Sequence, residues 1–254
     1  MWNYPRIIAH RGGGMFAPEN TLAAMRCGLA YGFHAVEFDV MLSRDAVPVL
    51  MHDPYLGRTV PGTGSISDCT MDQLAVMDAG AWFNAAYAGE PVPTYEQILR
   101  FCSGNKIWMN VEIKPAPGHE KQTGRVVAEL TRRLFANEIA SHVPGADDDL
   151  LPLFSSFSFE ALLAAKAAAP EIPRGYLIDA VPPDWHARLE ELGAVALHAN
   201  HENLSEQQAR LVKAAGFGLL CYTVDDPARA REIMSWGVDA VCTERIDLIG
   251  PDFC

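Results

Sequence analysis

Short apolar runs alternate with helix-patterned segments along almost the whole chain, and no other feature of the sequence limits its fold as strongly. Strand-like runs cover residues 6–9, 35–40, 107–113, 151–155, 174–178, 195–198, 218–224 and 240–243. Helix-like stretches lie between them at 21–31, 94–102, 120–136, 159–168, 183–192, 205–215 and 227–236. One of these opens on Ser205 with Gln208 three residues on, a capping-box start. Strands that alternate with helices are joined by crossovers, and crossovers make neighbouring strands parallel. Eight such steps in 254 residues predict an α/β fold, a closed (β/α)8 TIM barrel. The same count predicts one barrel domain over residues 1–254.

Three stretches break the alternation. Residues 47–52 read as a strand but follow 35–40 with no room for a helix, so they are expected to form the return arm of a β-hairpin. A two-residue loop at 44–45 makes paired residue numbers sum to 89 and sets His52 opposite Glu37 on one face. Residues 54–93 are rich in Gly and Pro and read as a short insertion over one barrel end, too small for a core of their own. Residues 136–152, with Asp147, Asp148 and Asp149, read as an exposed loop.

Composition excludes several classes. A hydrophobic share of 49% with 20% charged residues fits a globular domain and neither a disordered chain nor a coiled coil. Twenty Lys+Arg against 32 Asp+Glu give a net charge of −12, a poor match for nucleic acid or anionic lipid. No run approaches the roughly 18 apolar residues of a membrane span. The start, Met1 to Arg6, enters a strand without the apolar stretch of a signal peptide. Cys27, Cys69, Cys102, Cys221, Cys242 and Cys254 form no C-x-x-C pair and no zinc spacing. They read as reduced thiols, which with the missing signal predicts a cytoplasmic protein.

In such a barrel the chemistry sits at the C-terminal strand ends, and four polar groups fall there. His10-Arg11-Gly12-Gly13-Gly14 follows the first strand, offering a proton-transfer group and a cation beside a glycine turn. Glu37-Phe38-Asp39 ends the second, and residues two apart on a strand share a face. Two buried like charges are costly unless paired, so either a divalent cation or an ion pair with Arg11 or Lys114 must compensate them. His52-Asp53 ends the hairpin arm, and Glu112-Ile113-Lys114 the next barrel strand. Glu112 completes a three-carboxylate set whose all-oxygen chemistry suits Mg²⁺, Ca²⁺ or Mn²⁺. A hard cation, two histidines, an arginine and a lysine at one barrel mouth are what phosphodiester cleavage requires.

On these residues the chain resembles the glycerophosphodiester phosphodiesterases. The pieces are His10-Arg11-Gly12, Pro18-Glu19-Asn20-Thr21, Glu37-Phe38-Asp39-Val40, His52-Asp53, Glu112-Ile113-Lys114, Ser155-Ser156-Phe157 and Thr223-Val224, in order over about residues 6–250. Trp236 to Asp239 and the Ile249-Gly250-Pro251 tail look like the compact bacterial cytosolic members. The resemblance implies a barrel with one divalent cation, Mg²⁺ or Ca²⁺, that hydrolyses a small glycerophosphodiester to sn-glycerol 3-phosphate and an alcohol. By it, Glu37, Asp39 and Glu112 match the metal ligands, His10 and His52 the general acid/base pair, and Arg11 and Lys114 the phosphate contacts. Asn20 matches a supporting residue, though its place also suits the N-cap of the 21–31 helix. Tyr222 stands where the family often has tryptophan, the aromatic contact to glycerol. Thr243-Glu244-Arg245-Ile246 replaces a common Thr-Asp-x-Pro segment and is expected to touch neither the metal nor the proton-transfer groups. A membrane-acting phosphodiesterase wants an apolar or basic rim, a glycosidase leaves the histidines and cations without roles, and a non-catalytic relative would have lost a histidine or an acid. Oligomeric state, the alcohol, and direct water attack versus a cyclic phosphate are not legible.

Overall fold

Eight parallel strands close into a ring in the computed structural model of the chain, which describes residues 2–141 and 151–254. They are β1 (Ile7–Ala9), β2 (Ala35–Leu42), β4 (Trp108–Ile113), β5 (Leu153–Ser156), β6 (Arg174–Ile178), β7 (Ala196–Asn200), β8 (Gly218–Tyr222) and β9 (Ala240–Thr243); β3 (Pro48–Leu50) lies outside the ring. β1 pairs with β9 on one side and with β2 on the other, which closes the (β/α)8 TIM barrel that the alternation predicts. The helices are α1 (Leu22–Ala30), α2 (Met71–Leu74), α3 (Tyr95–Gly104), α4 (Glu120–Leu134), α5 (Ala136–Ser141), α6 (Phe159–Ala168), α7 (Trp185–Leu192), α8 (Glu206–Ala214) and α9 (Pro227–Ser235). Capping boxes start α2, α3 and α8, the last on Ser205 and Gln208.

Two expectations need correction. β3 does run antiparallel to β2, but Val40 pairs with Leu50 and Leu42 with Pro48, so the paired numbers sum to 90. The loop holds one residue more than expected, with Ala46 at φ 59 and the Ser43 N–H donating to Val47 O. That shift would move His52 off the Glu37 face. The last hydrogen bond between the arms, however, runs from the Met51 N–H to Asp39 O, and the chain bends from His52 onward, so His52 reaches the barrel mouth by leaving the ladder. The stretch read as a loop from 136 begins as α5, because Ile139 packs onto the main core. Asp147, Asp148 and Asp149 lie outside the described residues.

Alternation along the strands sorts side chains into two compartments. Val36, Phe38, Val40, Val111 and Ile113 face outward into the layer under the helices. Ile8, Ala35, Trp108, Leu153, Leu220 and Cys242 fill the barrel's lower interior, against Trp2 and Tyr4 of the N-terminal segment. The Tyr4 ring stacks on Trp108 at 5.0 Å and plugs the floor. Above this floor come buried polar groups, Asn110, Ser155 and His198, and then the acids. The insertion contributes Val60, Ile66, Leu74, Ala79 and Val92 to a small second core with Met41, Val49 and Met51 of the hairpin.

α4 and α6 pack closely enough that a Cβ on Gly124 would lie 2.1 Å from the Ala161 carbonyl oxygen. Backbone cannot step aside as a rotamer can. Overpacking at such a point costs about 1–3 kcal/mol, more than the roughly 0.5–1 kcal/mol that alanine gains over glycine in a helix. Gly124→Ala is therefore expected to lower the urea midpoint; an unchanged or raised midpoint would contradict this helix contact.

Candidate active site

Strand register brings the acids together. Asp39 and Glu112 are direct neighbours across β2 and β4, and Glu37 faces inward two residues before Asp39. One oxygen from each of the three lies within 4.8 Å of the others, and all three side chains are buried. Burial, with Asp39 and Glu112 close by, raises Glu37 well above the usual carboxylate range. Burial and the Asp39 charge push Glu112 up to about 8. Burial also acts on Asp39, but Lys114, Arg11 and His52 and the Asn20 hydrogen bond outweigh it and hold Asp39 low. Two of three acids thus resist ionisation when left to themselves. A divalent cation relieves that repulsion, and three carboxylate oxygens fit Mg²⁺, Ca²⁺ or Mn²⁺.

Both cations expected at the site are there. Lys114 Nζ lies 3.2 Å from Asp39 Oδ1 and 3.6 Å from Glu112 Oε1. Arg11 Nε lies 3.5 Å from Asp39 Oδ2, while its backbone N–H donates to Glu37 Oε2 at 3.1 Å. Arg11 takes a left-handed φ of 49 to do so. Asn20, also left-handed at φ 59, donates to Asp39 Oδ2 at 2.8 Å and accepts from the Asp39 N–H at 3.0 Å. The N-cap of α1 is Thr21, whose hydroxyl accepts from the Ala24 N–H, so Asn20 serves Asp39 and not the helix.

Each histidine is held at Nδ1 by a carboxylate, which leaves Nε2 free. His10 Nδ1 donates to Glu244 Oε1 at 3.0 Å, and His10 Nε2 lies 3.8 Å from Glu37 Oε2. His52 Nδ1 donates to Asp53 Oδ1 at 2.6 Å. Burial keeps His52 below its usual value, and the Arg11 and Lys114 charges add to this against Asp39 and Asp53. The Glu244 contact corrects the expectation that the closing segment touches no proton-transfer group. Asp225 fixes that segment by accepting from the Thr243 hydroxyl at 3.0 Å and the Glu244 N–H at 2.8 Å. The Tyr222 hydroxyl is tied to Ile178 O at 2.8 Å, so Tyr222 offers its ring to the cavity, edge-on to Phe157.

A second ring of charges escaped the sequence reading. Arg58, in the insertion, donates to Glu19 from both terminal nitrogens (2.7 Å each) and to Asp53 Oδ2 at 2.5 Å. Glu19 in turn accepts from Arg11 Nη1 at 2.8 Å. One guanidinium therefore braces the partner of His52 and the partner of Arg11. Fork-on-carboxylate geometry of this kind fixes orientation as well as charge. The signal available in the sequence was weak: Arg58 is one arginine in a Gly-rich stretch, and nothing local ties it to Glu19, 39 residues away.

Comparison with known proteins places the chain in a family. A profile of the Glycerophosphoryl diester phosphodiesterase family matches residues 10–248. A glycerophosphodiester phosphodiesterase of Caldanaerobacter subterraneus subsp. tengcongensis is 30% identical over 94% of this chain and 93% of its own length. A phosphodiesterase of Oleispira antarctica, solved in complex with the product sn-glycerol-3-phosphate, is 39% identical with a TM-score of 0.84, covering 94% of this chain and 93% of its own. A glycerophosphodiester phosphodiesterase of Agrobacterium tumefaciens superposes with a TM-score of 0.76 at 28% identity, covering 96% of this chain and 98% of its own. With the profile spanning nearly its full length, this chain belongs to the glycerophosphoryl diester phosphodiesterase family.

Proposed function

We propose that the protein hydrolyses glycerophosphodiesters to sn-glycerol 3-phosphate and an alcohol at the mouth of the barrel, with Glu37, Asp39 and Glu112 holding one divalent cation. The observation that carries this is the buried three-carboxylate cluster beside two cations and two braced histidines. When bound, the cation supplies Lewis-acid stabilisation of charge on the phosphate. Mg²⁺ or Ca²⁺ is the expected occupant, and Mn²⁺ meets the same oxygen chemistry. Arg11 and Lys114 face the same oxygens and orient the phosphate by charge-assisted hydrogen bonds. The Tyr222 ring offers an apolar wall to the glycerol carbons.

His10 is the base of this reading. Its Nε2 takes the proton of the attacking oxygen, and Glu244 at Nδ1 fixes the tautomer and stabilises the charge that develops. His52 is the acid, protonating the departing alcohol. Because burial holds its value down, His52 gains its proton once the negative phosphate lies beside it. The site reads the glycerophosphate half, so choline, ethanolamine and glycerol diesters are all substrates. All six cysteines are free thiols, and this supports a cytoplasmic location. Among the described residues no helix is long and apolar enough to cross a membrane.

Stripping divalent cations should abolish release of glycerol 3-phosphate from glycerophosphocholine, and adding back Mg²⁺, Ca²⁺ or Mn²⁺ should restore it; full activity in chelator would refute the metal site. Binding must displace protons from the raised Glu37 and Glu112. Metal affinity should therefore strengthen as pH rises toward 8, by up to about tenfold per unit for each proton displaced. His10→Ala and His52→Ala should each lose about 10²–10⁴-fold in kcat at retained metal affinity. Wild-type turnover in the double variant would remove both histidines from the mechanism. Arg58→Ala, which touches neither the acids of the cluster nor a histidine directly, should lower kcat by up to about 100-fold through misplacement of His52 and Arg11, again without weakening the metal. Unchanged kinetics would show the Arg58 bridge to be ornamental.

A further inference from the structure

The barrel interior beside the acids contains a buried polar group that the mechanism does not use. His198 is fully buried on β7, and neither ring nitrogen has a hydrogen-bond partner among the described residues. Ser155 Oγ and Asn110 Oδ1 are shielded and unpartnered in the same way. These three side chains line one cavity of about 40 Å³ with Glu37 and Glu112, and His10 and Tyr222 close its side toward the mouth. The imidazole is deliberately seated. A Cβ at residue 175, two residues before Leu177, the register partner of His198 on β6, would lie 2.4 Å from His198 Nε2, so the strand carries Gly175 there. On its other side the ring meets the edge of Trp2 at 6.3 Å. Burial drives His198 down to about 3, so the ring is neutral, with one N–H donor and one acceptor nitrogen.

If packing were the whole purpose, an apolar side chain would fill this layer without leaving four polar atoms unsatisfied, and such atoms are expensive in an interior. The cavity has room for solvent. A buried water takes roughly 10–15 Å³ of such space and needs two to four polar partners, so two waters fit by volume.

We propose that this cavity is a built water site, in which Asn110, Ser155 and His198 hold two waters that hydrogen-bond to Glu37 and Glu112 and so position the two carboxylates toward the cation. The hydrogen-bond count closes. Two waters bring four O–H donors, matched by one oxygen each of Glu37 and Glu112, Asn110 Oδ1, and the bare nitrogen of His198. They accept in return from the His198 N–H and the Ser155 hydroxyl. His198 is then a positioning residue that acts through water on the acids, and it touches neither substrate nor cation. This rests on the reading of Glu37, Asp39 and Glu112 as cation ligands.

The test is calorimetric titration of Mn²⁺ into metal-stripped wild type, His198→Phe and Ser155→Ala, with melting temperature and circular dichroism on each. Groups that orient metal ligands typically contribute about 10- to 100-fold in affinity. His198→Phe is expected to bind Mn²⁺ within that range of weakening while keeping wild-type secondary structure, and Ser155→Ala to weaken it several-fold at an unchanged melting temperature. Loading both variants with saturating Mn²⁺ should return most of their kcat, as befits a positioning role. If His198→Phe fails to fold, Ser155→Ala decides, since it removes a single hydroxyl. Wild-type Mn²⁺ affinity in the folded variants overturns the water site alone. No Mn²⁺ binding by wild type overturns the ligand reading, and the water site with it.

Discussion

Mutual repulsion among Glu37, Asp39 and Glu112 is the constraint around which this barrel mouth is built. Parallel pairing of β2 with β4 sets Asp39 beside Glu112, and the two-residue period of β2 adds Glu37 to the same face. Their backbone positions cannot be separated without breaking the β2–β4 register. The surroundings therefore compensate. Arg11 and Lys114 approach Asp39 from two strand ends, Arg11 and Asn20 accept left-handed backbone to reach it, and Asn20 closes two hydrogen bonds on it. Strained residues of this kind persist where the surrounding contacts over-determine them, and they gather at functional sites.

The insertion takes on a role through the same logic. Its small core, shared with Met41, Val49 and Met51, carries Arg58 back over the mouth to Glu19 and Asp53. From there the ion pairs run in one direction to Arg11 and in the other to His52. Isolated surface ion pairs contribute little to stability. This one is a branched network with bidentate contacts, and its effect is to fix where a guanidinium and an imidazole point. The hairpin and insertion thus supply one braced imidazole, His52, and the brace on Arg11, while His10 is held from the opposite side by Glu244.

What the sequence made legible follows from how local each cause is. The strand ends carrying His10, Glu37, Asp39, Glu112 and Lys114 could be read because period and position alone determine them. Hairpin register alone does not bring His52 to the mouth. The loop holds one residue more than a two-residue turn, and a bend beginning at His52, which no pattern announces, restores its place. Asn20 suits two roles by sequence, and only the Thr21 cap of the folded chain decides between them. Glu244 and Arg58 were missed because their partners, His10 and Glu19, lie far away in the chain. His198 was invisible because a histidine in an apolar run carries no mark of facing a polar cavity.

Net charge acquires a sharper meaning at the site. Around the mouth stand Glu19, Glu37, Asp39, Asp53, Glu112 and Glu244, against Arg11, Arg58 and Lys114. Fully ionised, with neutral histidines, that is six negative charges against three positive, or −3. Such a mouth repels a phosphate diester, so the acidic balance of the whole chain is repeated where the anion must bind. Two remedies exist. Protons on the raised Glu37 and Glu112 bring the sum to −1, and a divalent cation on the ionised acids brings it to −1 as well. Only the second also places a compact positive charge facing the phosphate oxygens, where Arg11 and Lys114 already point. The elevated carboxyls and the cation are therefore alternative answers to one electrostatic problem, and a phosphate meets an attractive site when the cation has replaced the protons.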